Sequence, residues 1–82
     1  MNHLVTVPMQ LGEILRSARR AAGLTQREAA VRLALSQSRM SALELDPRII
    51  SVEQLMALMG LYGLDLVVQS RDVAPVTSDM AW

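Results

Sequence analysis

Apolar positions recur at helical spacing through most of the chain, then switch to every second position after residue 63. From Met9 to Ala22, Leu11, Ile14, Leu15 and Ala18 fall on one helical face. Pro8 suits the first turn, where its missing N–H costs nothing, and Gly23 suits the C-terminal cap. A second helix starts at Thr25, with Glu28 three residues on as a capping box, and runs to about Leu33. Ser36 opens a third helix, which ends near Leu45 ahead of the Asp46-Pro47 breaker. Ser51 with Gln54 makes another capping box and opens a fourth helix that continues to about Leu61.

Beyond Gly63 the period becomes two: Leu64, Leu66 and Val68 alternate with Asp65, Val67 and Gln69, which predicts a strand. A lone strand has no partner for its backbone groups, and pairing with the same strand of a second copy supplies one. In helix four, Val52, Leu55, Met56 and Met59 make one face, leaving Leu58, Leu61 and Tyr62 for another. The expected dimerisation residues are therefore Leu58, Leu61, Tyr62, Leu64, Leu66, Val67 and Val68. A strand packed only against its own helices is the alternative. The predicted fold is mainly α, with four to five helices and one C-terminal strand forming an intersubunit two-stranded β-lid. It divides into an arm (1–8), a helical domain (9–62), a dimerisation strand (63–70) and a polar tail (71–82).

Composition narrows the core. The chain has 82 residues, of which 51% are apolar, yet it holds no Phe and a single Trp and Tyr. Aliphatic side chains must fill one small core, which favours packed helices. The absence of Cys removes a disulfide framework and thiolate metal sites, and fits a reducing cytoplasm. The longest apolar stretch, around Leu55 to Val68, is interrupted by Gly60, Gly63 and Asp65 and is too short to span a bilayer. A soluble intracellular protein with no membrane partner is the expectation.

Net charge is zero but unevenly placed. Residues 1–48 hold seven Arg and four acids, 7 − 4 = +3; residues 49–82 hold one Arg and four acids, 1 − 4 = −3. Every basic residue is Arg, suited to planar contacts with phosphates and guanine edges, although a genomic Arg bias would leave the same trace. The basic half carries the paired short helices. Ala29 and Ala30 allow these helices to cross closely, with Leu33, Leu35, Met40 and Leu43 beneath. The outward positions of helix three are then Gln37, Ser38, Arg39, Ser41 and Ala42. Gln pairs with adenine, Arg with guanine, and Ser with bases or phosphates. Gln26 would lie against a phosphate at the start of helix two. The candidate DNA-binding residues are Gln26, Arg27, Ser36, Gln37, Ser38, Arg39 and Ser41.

The run Arg19, Gly23-Leu24-Thr25-Gln26, Glu28 and Ala30, followed by Ser36-Gln37-Ser38, Met40-Ser41 and Leu43-Glu44, resembles the Xre/phage-repressor-like helix-turn-helix family over residues 9–62. The resemblance implies a lambda-repressor-like domain, a structural ion pair between Arg19 and Glu44, and DNA contacts at Gln26, Gln37, Ser38, Arg39, Ser41 and Ala42. Ala42 departs from the longer polar side chain often found at that position. Ala34 stands where the family's turn often has Gly, and a left-handed conformation there would strain Ala by about 1 kcal/mol. With the strand and the Trp-ending tail added, the chain looks like HipB antitoxins. These are bacterial dimers with an intersubunit β-lid that repress their own operon and bind HipA-type kinase toxins. On that likeness the homodimer partners are operator DNA and a HipA-like kinase toxin, in the cytoplasm or on the nucleoid. Trp82 would be a tail anchor or degradation signal, unless it is a terminus of no consequence.

No catalytic grouping stands out. His3 is the only His, and there is no Gly-rich phosphate loop, paired carboxylate cluster or metal-ligand set. The sequence therefore points to a non-enzymatic protein without cofactors. Three functions remain open: an autorepressing antitoxin, a stand-alone Xre regulator without a toxin, and a toxin-neutralising interaction protein that does not bind an operator.

Overall fold

The computed structural model describes residues 3–71. The helices are α1 (Pro8–Ala21), α2 (Gln26–Arg32), α3 (Gln37–Leu45) and α4 (Val52–Tyr62), with a 3-10 turn at Pro47–Ile49. Each helix begins where a polar side chain takes up otherwise unsatisfied backbone N–H groups. At α2 the Thr25 hydroxyl accepts from the Glu28 N–H at 3.0 Å while the Glu28 carboxylate accepts from the Thr25 N–H at 2.9 Å. Ser36 accepts from the Arg39 N–H at 3.0 Å, and Ser51 and Gln54 close the second reciprocal box. At α1 the Gln10 side chain reaches back instead, accepting from the Thr6 N–H at 2.7 Å.

Three of the helices end in one kind of turn. In each, a residue with positive φ lets the next N–H bond back across the last turn: Leu24 to Arg19 O, Leu35 to Ala30 O and Leu64 to Met59 O. Glycine occupies two of the three positions, Gly23 (φ 76°) and Gly63 (φ 74°). The third, between α2 and α3, is Ala34 at φ 57°. The left-handed conformation considered for that turn is thus adopted by an alanine.

Leu15, Ala29, Ala30, Met40, Leu43, Leu58, Met59 and Tyr62 form the core. The helix α1 packs on α3, α4 and the 3-10 turn, while α2 packs on α3. Ala29 and Ala30 are almost wholly buried, as the close α2–α3 crossing requires. A second close approach lies at Gly12, where an added Cβ would sit 2.7 Å from the Glu44 carbonyl oxygen and 2.9 Å from Pro47 Cγ.

Helix four turns differently from the expectation. Leu58 and Tyr62 are buried in the chain's own core, Leu61 is half-buried, and Val52 and Met56 face outward. The sequence admits two equally regular stripes, 52/55/56/59 and 55/58/59/62, and packing against α1 selects the second. Among the described residues no strand is present. Leu64 packs against the core, whereas Leu66, Val67 and Val68 are exposed whatever their parity. Among the described residues this segment has no ladder partner. Trp82 and most of the tail, 72–82, lie outside the described residues.

Candidate nucleic-acid interface

The helix α3 has two faces that share no residue. Met40, Leu43 and Glu44 point inward. On the opposite side, Gln37, Ser38, Ser41, Ala42 and Leu45 line an open concave surface closed at one edge by Gln26 from the start of α2. The fold therefore brings together four of the expected DNA-binding residues, Gln26, Gln37, Ser38 and Ser41. Arg27 and Arg39, next in sequence to Gln26 and Ser38, are exposed but do not line this surface, Arg27 lying instead with Glu28, Val31 and Arg32; neither forms an ion pair among the described residues. Ser36 is committed as the cap of α3, its hydroxyl already accepting a backbone hydrogen bond.

Two apolar side chains complete the concave surface. Ala42 is half-buried and Leu45 is 67% exposed. Sequence reasoning misses Leu45 because it closes helix three and reads as one more core leucine. Its spacing is the available signal: seven residues after Ser38 is about two helical turns, which puts both on one face.

Behind this surface lies a buried charged cluster centred on Glu44. Arg19 Nε donates to Glu44 Oε2 at 2.7 Å and Arg19 Nη2 donates to Oε1 at 3.3 Å, a forked arrangement with both residues buried. Arg19 Nη1 also donates to the Leu24 carbonyl at 2.9 Å, so one guanidinium fixes the α1–α2 connection and α3 together. Arg16, which the sequence did not single out, lies 3.8 Å from the same carboxylate and donates to the Glu44 carbonyl at 3.4 Å. Gln26 Nε2 donates to Glu44 Oε1 at 2.9 Å. A carboxylate only accepts, so this contact also sets which end of the Gln26 amide faces inward.

Burial alone would raise the Glu44 pKa, but the hydrogen bonds from Arg19 and Gln26 and the charges of Arg19 and Arg16 outweigh it. The net shift is downward. The Tyr62 phenol is pushed up, first by burial and then by the Glu44 charge, with Arg19 opposing. Its hydroxyl oxygen is buried without a hydrogen-bond partner among the described residues. The Glu28 carboxyl is held low by the backbone and side-chain hydrogen bonds of Thr25.

Two adjacent capped helices, the second presenting a hydrogen-bonding face beside exposed arginines, define a helix-turn-helix unit. The helix-turn-helix domain family model matches residues 10–71, and the chain belongs to this family. Neither the curated proteins nor the solved structures provide a match. The family is a DNA-binding class, and its members are typically not enzymes. Among the described residues no helix is long and apolar enough to cross a membrane, and no three His, Cys, Asp or Glu side chains gather as a metal site would require.

Proposed function

We propose that the protein is a transcriptional regulator that binds double-stranded operator DNA with α3 in the major groove. One observation carries this reading: the outward face of α3 joins Gln26 in a single concave surface of hydrogen-bonding side chains, held from behind by the Arg19–Glu44 pair. Gln37, Ser38 and Ser41 meet base edges, and Arg27 and Arg39 beside them meet phosphates. The Gln26 amide, anchored on Glu44, lies at the rim of the groove. Titrating labelled duplexes from the gene's own promoter, at several salt concentrations, tests the reading. It expects a sequence-preferring complex that weakens steeply with salt, and a complex indifferent to sequence would refute it.

The regulator acts as a two-fold dimer. Val52 and Met56 on α4 and Leu66, Val67 and Val68 beyond it are exposed and apolar, and residues 64–69 have no ladder partner among the described residues, a role that a second copy would fill. The two α3 helices of such a dimer are expected to meet half-sites centred roughly 34 Å apart, or a multiple of that distance. Sedimentation at micromolar concentration checks the dimer, and a monomer at every concentration would exclude the β-lid. The likeness of the sequence from Pro8 to Trp82 to HipB antitoxins supports a finer reading, neutralisation of a HipA-like kinase toxin. A toxin gene beside this one, and co-purification of its product with this chain, distinguish it from a stand-alone regulator.

A further inference from the structure

We infer that Leu45, with Ala42 beside it, reads thymine by packing on the 5-methyl group, giving the recognition face an apolar half. This rests on the proposal that α3 enters the major groove. The inward residues of α3, Met40, Leu43 and Glu44, leave a face centred near Ser38, Ala42 and Leu45. Leu45 therefore points the same way as the polar readers, two turns further along the helix. Its side chain is 67% exposed, although Leu43 two positions earlier is fully buried. Ala42 supplies a small apolar floor between Ser41 and Leu45 and cannot donate or accept from its side chain. In the major groove, thymine is the one base that offers a methyl group, and apolar side chains recognise it by contact. The surface thus combines Gln37, Ser38 and Ser41 for hydrogen bonding with Ala42 and Leu45 for methyl contact, in that order along the helix.

The test replaces thymine by uracil, which keeps base pairing and removes only the methyl. Preferred duplexes are first selected from a random pool with the full chain, and each thymine in the selected site is then replaced in turn. Burying one methyl corresponds to about fourfold in affinity. Wild-type protein is expected to lose about that factor at one or two thymines per half-site. Leu45→Ala should bind the thymine duplex more weakly and lose nothing further at one of those positions. Its exposed side chain leaves the fold intact, which circular dichroism of the variant checks. Sequence-preferring binding that uracil leaves unchanged everywhere would overturn the methyl contact while leaving DNA reading in place. A Leu45→Ala variant that binds more weakly but keeps full sensitivity to every uracil would overturn it equally. Absence of any selected sequence would remove the regulator reading, and this inference with it.

Discussion

The turn between α2 and α3 holds an alanine in a conformation that glycine adopts without cost, so Ala34→Gly should stabilise the protein. Ala34 has φ 57° and is exposed, so removing its Cβ forfeits no packing. The left-handed conformation costs an alanine about 1–2 kcal/mol. Glycine gives back about 0.4–1 kcal/mol through the greater freedom of the unfolded chain. The difference leaves a gain of about 1 kcal/mol, which for a domain of this size raises Tm by about 4–8 °C. The same fold supplies its own controls. Gly23 and Gly63 occupy the equivalent position of two other helix ends, and a Cβ at either would meet nothing within 4 Å. Gly23→Ala and Gly63→Ala should therefore destabilise by about the amount that Ala34→Gly stabilises. Urea and thermal unfolding at fixed protein concentration measure all three variants, since dimerisation would otherwise shift Tm. A destabilised Ala34→Gly alongside destabilised Gly→Ala controls would refute the strain argument and show that the Ala34 methyl contributes to the native turn. If all three changes were neutral, these turns would not hold left-handed residues in solution.

Other expectations follow from the core and its charges. Glu44→Gln leaves the buried Arg19 without its counter-charge and should cost about 3 kcal/mol, read by urea denaturation. Because the Glu44 pKa is lowered on folding, its stabilisation is complete above the ordinary carboxylate value of 4.5 and is lost as pH falls through the lower folded value. Acid unfolding below that point should flatten in Glu44→Gln, and an unchanged profile would show that other carboxylates govern it. Tyr62→Phe removes a buried hydroxyl without a partner among the described residues and should be neutral or stabilising by about 1 kcal/mol in thermal melts. Since the Tyr62 pKa is raised on folding, wild-type stability should fall above about pH 10 in a way that Tyr62→Phe does not share. Gly12→Ala pushes a methyl against the Glu44 carbonyl and Pro47, so it should destabilise by about 1–3 kcal/mol despite alanine's better helix propensity, as calorimetry would report. Gln37→Ala should weaken operator binding by about 1–3 kcal/mol and relax sequence preference, measured by anisotropy on matched and mismatched duplexes.

The helix starts were legible because they rest on local chemistry: Thr25 with Glu28, Ser36, and Ser51 with Gln54 act within three residues of themselves. The Arg19–Glu44 pair was legible only through family resemblance, since nothing local links residues 25 positions apart. The phase of α4 was not legible. From Leu55 to Tyr62 every position but Gly60 is apolar, so periodicity permitted two faces, and contact with α1 decided between them. Gly12 and Arg16 escaped notice for a related reason. Their roles depend on where the Glu44 backbone arrives from another element, which no spacing within α1 encodes.

The separation of the two faces of α3 also bears on how such a protein changes its target. Gln37, Ser38, Ser41, Ala42 and Leu45 take no part in the core cluster or in the Glu44 hydrogen bonds. If α3 reads DNA as proposed, substitutions there would re-address the protein to another site with little loss of stability. Gln26 is the exception, because it borders that surface while donating to Glu44. A change at that position would alter target choice and scaffold together.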